Sequence, residues 1–166
     1  MEPVTFQPIG IIRTPFVEPA GMPIQTVAGA GIRGTIELAP EFVPGLRDLE
    51  EMSHLILIYH LHRIEAHALV VTPFMDDRRH GIFATRSPKR PNPIGLSTVR
   101  LVGIRGNVLD IEDLDILDGT PLLDMKPYVP ELDDRANAAT GWFAGRVHRV
   151  HEVTADHRFG SEPPPR

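Results

Sequence analysis

Proline and glycine interrupt this chain of 166 residues at short intervals, with 17 and 14 occurrences. Proline removes a backbone donor and glycine loosens the backbone, so both residues disfavour long helices. Many short strands joined by turns suit such a sequence better. The length fits one domain with a hydrophobic core of its own. We therefore expect a mainly β fold.

Alternation of apolar and polar residues predicts the strands. The clearest pair is Leu96–Ile104 and Val108–Leu117, joined by Gly106-Asn107, a dipeptide that suits a tight hairpin. In the second strand the alternation slips between Ile111 and Leu114, which predicts a bulge. Further strands are predicted at Thr5–Ile12, Gly31–Leu38, Ser53–His62, Ala68–Thr72 and Gly81–Thr85.

The remaining segments complete the predicted domain. Leu46–Met52 is the best short helix, since its composition is mixed and charged. Together these elements predict an antiparallel-rich β-barrel with one or two short helices. We expect the domain to span residues 1–154. The polar end, Ala155–Arg166, finishes in three prolines and is expected to be disordered.

Several classes of protein are excluded or disfavoured by what the sequence lacks. It has no cysteine, which excludes disulfides, zinc–thiolate sites and a thiol nucleophile. It shows no signal peptide, and its longest apolar run, Leu55–Tyr59, is too short to cross a membrane. We therefore expect a cytoplasmic protein without a membrane partner. It also lacks the glycine motifs of dinucleotide and P-loop sites, so loops would have to hold any nucleotide-like cofactor.

The charges divide into two blocks, although the net charge is −5. Residues 78–105 hold Arg and Lys but no Asp or Glu, whereas residues 107–134 hold many acids and one base, Lys126. One interpretation is a segment that faces phosphate, followed by a segment that holds a cation. The alternative is two ordinary solvated surfaces.

The most unusual segment is Phe83–Ser97, in which three prolines stiffen a loop. Arg86, Lys89 and Arg90 offer donors for phosphate or carboxylate. Asn92 offers an amide that can pair with the edge of an adenine. The alternative interpretation is a rigid structural connection.

A second candidate segment is acidic and runs from Asp115 to Tyr128. Its carboxylates at Asp115, Asp118 and Asp124 can bind ribose hydroxyls, a sulfonium or an α-amino group. The alternative is a solvated turn, because Asp-Gly followed by Thr-Pro is a turn signal.

Histidines offer a third possibility. His60 and His62 share one face of a predicted strand, and Asp76 or Asp77 could complete a metal site with them. The spacing fixes no third ligand, however, and apolar residues surround the pair. We expect no metal.

Several blocks of the sequence together resemble the TsaA-like family, also called TrmO and formerly YaeB-like. The string Arg-Ser-x-x-Arg-Pro-Asn-Pro-Ile-Gly, from Arg86 to Gly95, is long and specific. The blocks occur in the family's order at Ile9–Pro15, Gly34–Leu38, Ser53–Leu55, Gly81–Ser97 and Asp118–Tyr128.

This resemblance implies a β-barrel methyltransferase fold distinct from the Rossmann methyltransferases, and a homodimer. It implies S-adenosylmethionine as the cofactor. The implied reaction is methylation of the exocyclic amine of threonylcarbamoyl-modified adenosine beside the anticodon of tRNA. Two alternatives stay open: a methyltransferase for a small molecule, and a non-catalytic module that binds S-adenosylmethionine or RNA.

The resemblance also implies site residues. The implied cofactor contacts are Pro23, Ile24, Gln25, His62, Arg63, Arg86, Leu96, Leu117, Asp118, Gly119 and Thr120. An amine conjugated to a purine is a poor nucleophile, so a positioned acceptor should take or bind its proton. Candidates for that catalytic task are Asp118, Asp124 and Tyr128. Candidates for binding the RNA substrate are Lys89, Arg90, Asn92 and Lys126.

Overall fold

The computed structural model describes residues 2–156 and 158 of the chain. Short strands dominate this part, and the one α-helix in it is α1, Pro130–Asp133. The strands are β1 Gly10–Arg13, β2 Arg33–Leu38, β3 His54–His60, β4 Val70–Val71, β5 His80–Gly81, β6 Ile94–Arg105, β7 Val108–Glu112 and β8 Thr120–Pro127. Single 3-10 turns or short 3-10 helices occupy Thr26–Ala28, Pro40–Leu46, Leu49–Glu51, Ile82–Ala84, Gly141–Phe143 and Val147–His151.

Six strands form a closed barrel in the order β1-β2-β7-β6-β3-β8, and β8 pairs back onto β1. Every neighbouring pair is antiparallel. Successive side chains of a strand point to opposite faces, so alternate residues fill the barrel. The fully buried side chains include Ile12, Ile36, Leu55, Leu57, Val99, Leu109, Ile111, Leu114, Ile116 and Leu122. The predicted antiparallel barrel is therefore confirmed.

The β6–β7 hairpin forms around Gly106, as predicted, but its bulge is on the other strand. Gly106 takes a φ of 63°, which a tight turn requires and glycine tolerates. The pairing register shifts between Leu101 and Gly103, so the extra residue is Val102 of β6.

The predicted bulge within Val108–Leu117 is therefore wrong, because β7 ends at Glu112. Asp113 follows with a φ of 69°, a left-handed conformation that turns the chain. Its Oδ1 accepts a hydrogen bond from the Gly31 amide at 2.8 Å. This turn, not a bulge, shifts the alternation so that Leu114 and Ile116 both reach the core.

The helix predicted at Leu46–Met52 is also wrong. The chain forms separate 3-10 segments, Pro40–Leu46 and Leu49–Glu51. Between them Asp48 has a φ of 66°, which no right-handed helix can contain.

Two predicted strands are shorter than expected. The first pairs only from Gly10 onward, where β1 meets β2 and β8. The strand predicted at Gly81–Thr85 is replaced by a 3-10 turn at Ile82–Ala84. The Thr85 hydroxyl donates to the Ile82 carbonyl at 2.9 Å, and this local bond favours the turn over a sheet ladder.

Strand β8 was not predicted, because its sequence was interpreted as an acidic turn. It nevertheless pairs with both β3 and β1. Thr120 and Leu122 are buried at alternate positions, whereas Asp124 and Lys126 beyond them are more exposed. A register shift opposite Ile58 and Tyr59 obscures the alternation in this strand.

Outside the barrel, β4 and β5 pair as a short ribbon over a second apolar cluster around Val71 and Ile82. The segment after α1 crosses back to the early loop. Ala155 exchanges backbone hydrogen bonds of 2.8 Å with Gly21 and Met22, so it is paired, not disordered as expected. Residues 157 and 159–166 of the predicted tail lie outside the described residues. Within residues 2–156 and 158, no helix is long and apolar enough to span a membrane.

Gly95 provides a test of the barrel packing. It pairs with Tyr59 across β3 and β6, and a Cβ at this position would overlap the Tyr59 ring. We expect Gly95→Ala to lower the free energy of unfolding by about 2 kcal/mol, because a well-packed core resists added volume. Urea unfolding measures the change.

Gly103→Ala is the matched control, since no atom lies within 4 Å of the point that its added Cβ would occupy. It should change stability by less than about 1 kcal/mol. Equal effects of the two substitutions would contradict the packing of Tyr59 on Gly95.

Candidate functional site

The ends of four strands meet at one end of the barrel. His60 at the end of β3 pairs with Ile94 at the start of β6, and Ile12 near the end of β1 pairs with Thr120 at the start of β8. The loops that join these strand ends therefore gather there. They carry most of the residues that were predicted to bind a cofactor.

The turn Leu117–Thr120 is fixed firmly to this end of the barrel. The Asp118 amide donates to the Phe16 carbonyl at 2.7 Å, and the Gly119 amide donates to the Ile12 carbonyl at 2.9 Å. The Asp118 carboxylate accepts from the Thr14 amide at 3.1 Å, and its other oxygen lies 3.9 Å from the Arg13 guanidinium. These contacts hold the turn rigid before any ligand binds.

His62 joins that turn from β3. The Thr120 hydroxyl donates to the Leu117 carbonyl at 2.7 Å and lies 3.4 Å from His62 Nδ1. Arg63 Nε donates to His62 Nε2 at 3.4 Å, which leaves the ring proton on Nδ1, facing Thr120. Burial and the neighbouring Arg63 lower the pKa of His62, so its ring is neutral at pH 7.

The early loop and the proline-rich loop also meet. Arg86 Nη1 donates to Gln25 Oε1 at 2.5 Å, and the Gln25 amide nitrogen donates to the Ile24 carbonyl at 2.6 Å. Pro23 forms a β-bridge with Thr154 of the C-terminal segment. Ile24, Gln25 and Arg86 therefore belong to one hydrogen-bonded group, and Pro23 ties the same loop to the C-terminal segment.

A buried polar chain lies beside Arg86. Ser97 Oγ donates to Asp115 Oδ1 at 2.7 Å, and the Tyr59 hydroxyl lies 2.9 Å from Ser97 Oγ. Burial raises the pKa of Asp115 to about 6, while Ser97 and the charge of Arg86 oppose that rise. Burial, followed by the charge of Asp115, raises the pKa of Tyr59.

Sequence reasoning missed Tyr59 and Ser97, and it considered Asp115 only as one of three carboxylates that can bind ribose hydroxyls, a sulfonium or an α-amino group. A signal was present, because Tyr59 and Ser97 occupy inward positions of otherwise apolar strands. Buried hydroxyls in such positions need partners, and each is the other's partner.

The structure separates the three residues of the proline-rich loop that were predicted to bind RNA. Arg90 donates to the carbonyls of Ile82 and Thr85 at 3.2 and 3.0 Å, so it holds the 3-10 turn. Asn92 is exposed, and its carbonyl accepts from the Ile94 amide. Lys89 borders a separate cavity.

Leu96, Asp124 and Lys126 lie on the outer wall of the barrel, in β6 and β8, the two strands that flank β3. Leu96 and Asp124 are the partners of Ile58 on its two sides, and Leu96 is 61% exposed. Lys126 Nζ lies 2.7 Å from Asp124 Oδ2, so these two charges pair with each other.

Tyr128 lies at the opposite end of β3 from His62. Its amide donates to the carbonyl of His54, the first residue of β3, at 3.0 Å. The length of that seven-residue strand separates it from the predicted cofactor contacts by about 20 Å. Its hydroxyl donates to Asp134 at 2.7 Å. A catalytic role for Tyr128 stays a prediction, and within one chain it is not part of this group.

The histidine and aspartate residues considered for a metal do not converge. Asp76 lies 3.1 Å from His80 Nε2, not beside His60 or His62. Throughout the described part of the chain, no three His, Asp or Glu side chains are arranged to hold a metal ion.

Comparison with known proteins decides the family. The family model described as tRNA-methyltransferase O N-terminal domain, TrmO_N, matches residues 11–134. The chain belongs to the TrmO family. It is 56% identical over 158 residues to a probable S-adenosyl-L-methionine-binding protein of Pyrococcus abyssi, covering 95% of this chain and 86% of that protein.

Two of the matched proteins are longer than this chain. TrmO from Pseudomonas aeruginosa superposes with a TM-score of 0.72 at 40% identity, covering 85% of this chain and 63% of that one. The mouse tRNA (adenine(37)-N6)-methyltransferase is 35% identical over 154 residues, covering 87% of this chain but 34% of the mouse protein.

The matched TrmO range contains every predicted site residue and all of the barrel except Gly10. The early loop, however, is held from outside the matched range. Thr154 and Ala155 follow residue 134, and they pair with Pro23, Gly21 and Met22. The C-terminal segment therefore braces the loop of this TrmO-family site.

Asp115 gives the site a testable dependence on pH. Because its pKa is raised from 3.8 to about 6, the folded protein binds this proton more tightly than the unfolded chain. The stabilising effect is present below pH 4 and is lost as the pH rises through 6. Asp115→Asn should therefore be more stable than the wild type at pH 8, by on the order of 2 kcal/mol, with the difference vanishing near pH 3.5.

Urea unfolding at both pH values measures this difference. Asp110→Asn is a control of opposite sign, because a hydrogen bond from Arg105 lowers the pKa of Asp110. That variant should lose stability at pH 8, not gain it. A gain for Asp115→Asn that is the same at both pH values would contradict the burial of this carboxyl group.

Proposed function

We propose that this chain is an S-adenosylmethionine-dependent methyltransferase that acts on an adenine base of tRNA. The specific substrate proposed is the exocyclic amine of threonylcarbamoyl-modified adenosine beside the anticodon. The observation that carries the proposal is that the Gln25–Arg86 contact and the His62–Thr120 contact are made by loops at the same end of the barrel, in a chain of the TrmO family.

The side chains at this end suit S-adenosylmethionine. Arg86 presents guanidinium donors for a carboxylate, and only one of its nitrogens is used by Gln25. Asp115 adds negative charge near Arg86, which favours an amino group or a sulfonium. The turn at Leu117–Thr120 adds backbone groups and a hydroxyl. When bound, the cofactor supplies an electrophilic methyl group.

The residues of the chain would orient the target amine. Asp118 lies in the cofactor turn, and its carboxylate is held by Thr14 and Arg13. Asp124 lies on the outer wall near Leu96, where Lys126 pairs with it. Either carboxylate can accept a hydrogen bond from the amine and align its lone pair for transfer. Fixed positions reduce the entropy cost of that alignment.

The direct test is methyl transfer in vitro with labelled S-adenosylmethionine. We expect label in tRNA that carries the threonylcarbamoyl group and none in the same tRNA without it. Arg86→Gln should weaken cofactor binding at least tenfold by calorimetry, because the proposed carboxylate contact is lost. Arg79→Gln is the matched control, since Arg79 is exposed and lies in the same cationic block.

Two results would contradict the proposal in different ways. Heat of cofactor binding without transfer to any tRNA would favour a small-molecule methyltransferase or a non-catalytic module. Transfer to unmodified tRNA would keep the enzyme class but remove the proposed nucleoside. The relative from Pyrococcus abyssi is named only as a probable S-adenosyl-L-methionine-binding protein. This test therefore asks whether a chain similar to it also transfers the methyl group.

We also propose a homodimer formed by the outer wall near Leu96. Leu96 and Ile94 are 61% and 42% exposed, and they lie two positions apart on β6, so both point outward from the same side of the barrel. Apolar side chains grouped on one face favour association.

Sedimentation of the Leu96→Asp variant should show a shift from dimer to monomer. Val102→Asp is the control, because Val102 is 46% exposed at the bulge toward the other end of β6. A wild-type chain that sediments as a monomer would overturn the dimer. The cytoplasmic location stays a prediction.

A further inference from the structure

A cavity of about 830 Å³ lies between the β4–β5 region and the C-terminal segment. Four cationic side chains border it: Lys89, Arg146, Arg149 and Arg158. Two carboxylates, Asp76 and Asp77, also border it. None of these residues belongs to the group of predicted cofactor contacts. The cavity is thus a separate feature with an excess of positive charge.

Asp76 builds one wall of the cavity and is itself neutralised. It is 7% exposed, and its carboxylate accepts from the amides of Asp77 and Arg78 and lies 3.1 Å from His80 Nε2. Arg78 and Arg146 approach it to 3.5 Å. Burial disfavours the charged form of Asp76. The hydrogen bonds to its carboxylate and the nearby arginine outweigh burial and hold the pKa of Asp76 well below its usual range. The negative charge of Asp76 is therefore already balanced by its own partners. The other cationic side chains that border the cavity remain available to a ligand.

The C-terminal segment places arginines against this wall. Arg149 Nη1 donates to the Met75 carbonyl at 3.0 Å, and Arg158 Nη1 donates to the Pro73 carbonyl at 3.2 Å. Arg158 also pairs with Asp156 at 2.7 Å. Arg149 has no carboxylate partner among the described residues, so its remaining N–H groups are available to a ligand.

Lys89 borders the cavity from the proline-rich loop. Its carbonyl accepts from the Ala68 amide at 3.1 Å, which fixes the loop beside the β4 region. Its ammonium forms no ion pair with any carboxylate of residues 2–156 or 158. Lys89 follows Arg86 by three residues, so the cavity and the cofactor group share one short, proline-stiffened loop.

We propose that this cavity binds the phosphate backbone of the RNA substrate, a proposal that rests on the tRNA methyltransferase function above. Arg149 and Lys89 offer phosphate donors without competing carboxylates. Val71 and Phe74 add apolar surface, which suits a ribose or a base better than an isolated inorganic anion. The volume also exceeds what one phosphate needs.

The experiment compares tRNA binding by the wild type with binding by Lys89→Gln/Arg149→Gln over a series of salt concentrations. We expect the double variant to bind tRNA about tenfold more weakly at low salt. The slope of log K against log salt should fall by about two, one for each lost phosphate contact. The Kd for S-adenosylmethionine should not change, which shows that the variant is folded.

Arg47→Gln/Arg105→Gln is the control pair, because it removes the same net charge. Arg47 is exposed. Arg105 is the last residue of β6, at the opposite end of that strand from the loop that carries Lys89. This pair should leave the salt dependence nearly unchanged. Equal losses from both pairs would reduce the effect to net charge and overturn the site.

The remaining outcomes separate this site from the function on which it rests. If the wild type binds tRNA but transfers no methyl group, the function fails, and the salt slopes still decide the site. If the double variant keeps wild-type tRNA binding, the site is overturned even when methylation proceeds. Binding of inorganic phosphate is measured on the same proteins. If the double variant loses phosphate binding but keeps tRNA binding, the cavity is a small-anion site and the RNA assignment is overturned.

Discussion

The pairing of β8 with both β1 and β3 closes the barrel, and the arrangement of the site depends on that closure. A closed barrel has no open edge, so each of its six strands is paired on both sides. Closure also fixes the start of β8 next to the end of β1. The turn at Leu117–Thr120 is held there by the backbone of Ile12 and Phe16. A site made from loops is thus positioned by a rigid sheet.

The sequence predicted the antiparallel barrel because apolar residues alternate in β2, because β3 is a run of β-prone residues, and because Gly106-Asn107 marks the hairpin of β6 and β7. It did not predict β8, whose alternation is interrupted by a register shift opposite Tyr59 and masked by acids. The shift in alternation near Asp113 was detected in the sequence. Its cause is the left-handed backbone conformation of Asp113, not the predicted bulge. Alternation cannot distinguish a bulge from a turn, because both move the next apolar residue by one position. Distant partners such as Gly31 decide between them.

The candidate site was predictable mainly through the family resemblance. Residue types alone could not pair Gln25 with Arg86, because their contact depends on the path of two loops. The division of charge along the sequence indicated a basic segment, but it did not distinguish the roles of the individual cations in that segment. Of the cations in the basic block, Arg90 binds carbonyls of its own chain, and Lys89 faces a cavity. The cavity's arginines come from the C-terminal segment, which lies beyond that block and outside the matched TrmO domain.

The backbone pairing between Gly21–Pro23 and Thr154-Ala155 has a consequence for folding during synthesis on the ribosome. Chains fold from the N-terminus as they are made, but this contact joins segments that are more than 130 residues apart. The barrel strands are all complete once β8 has left the ribosome, whereas the loop with Gln25 still lacks its brace. The early loop can acquire its final geometry only after Thr154 and Ala155 have left the ribosome. A nascent chain would therefore have a folded barrel before its early loop is braced.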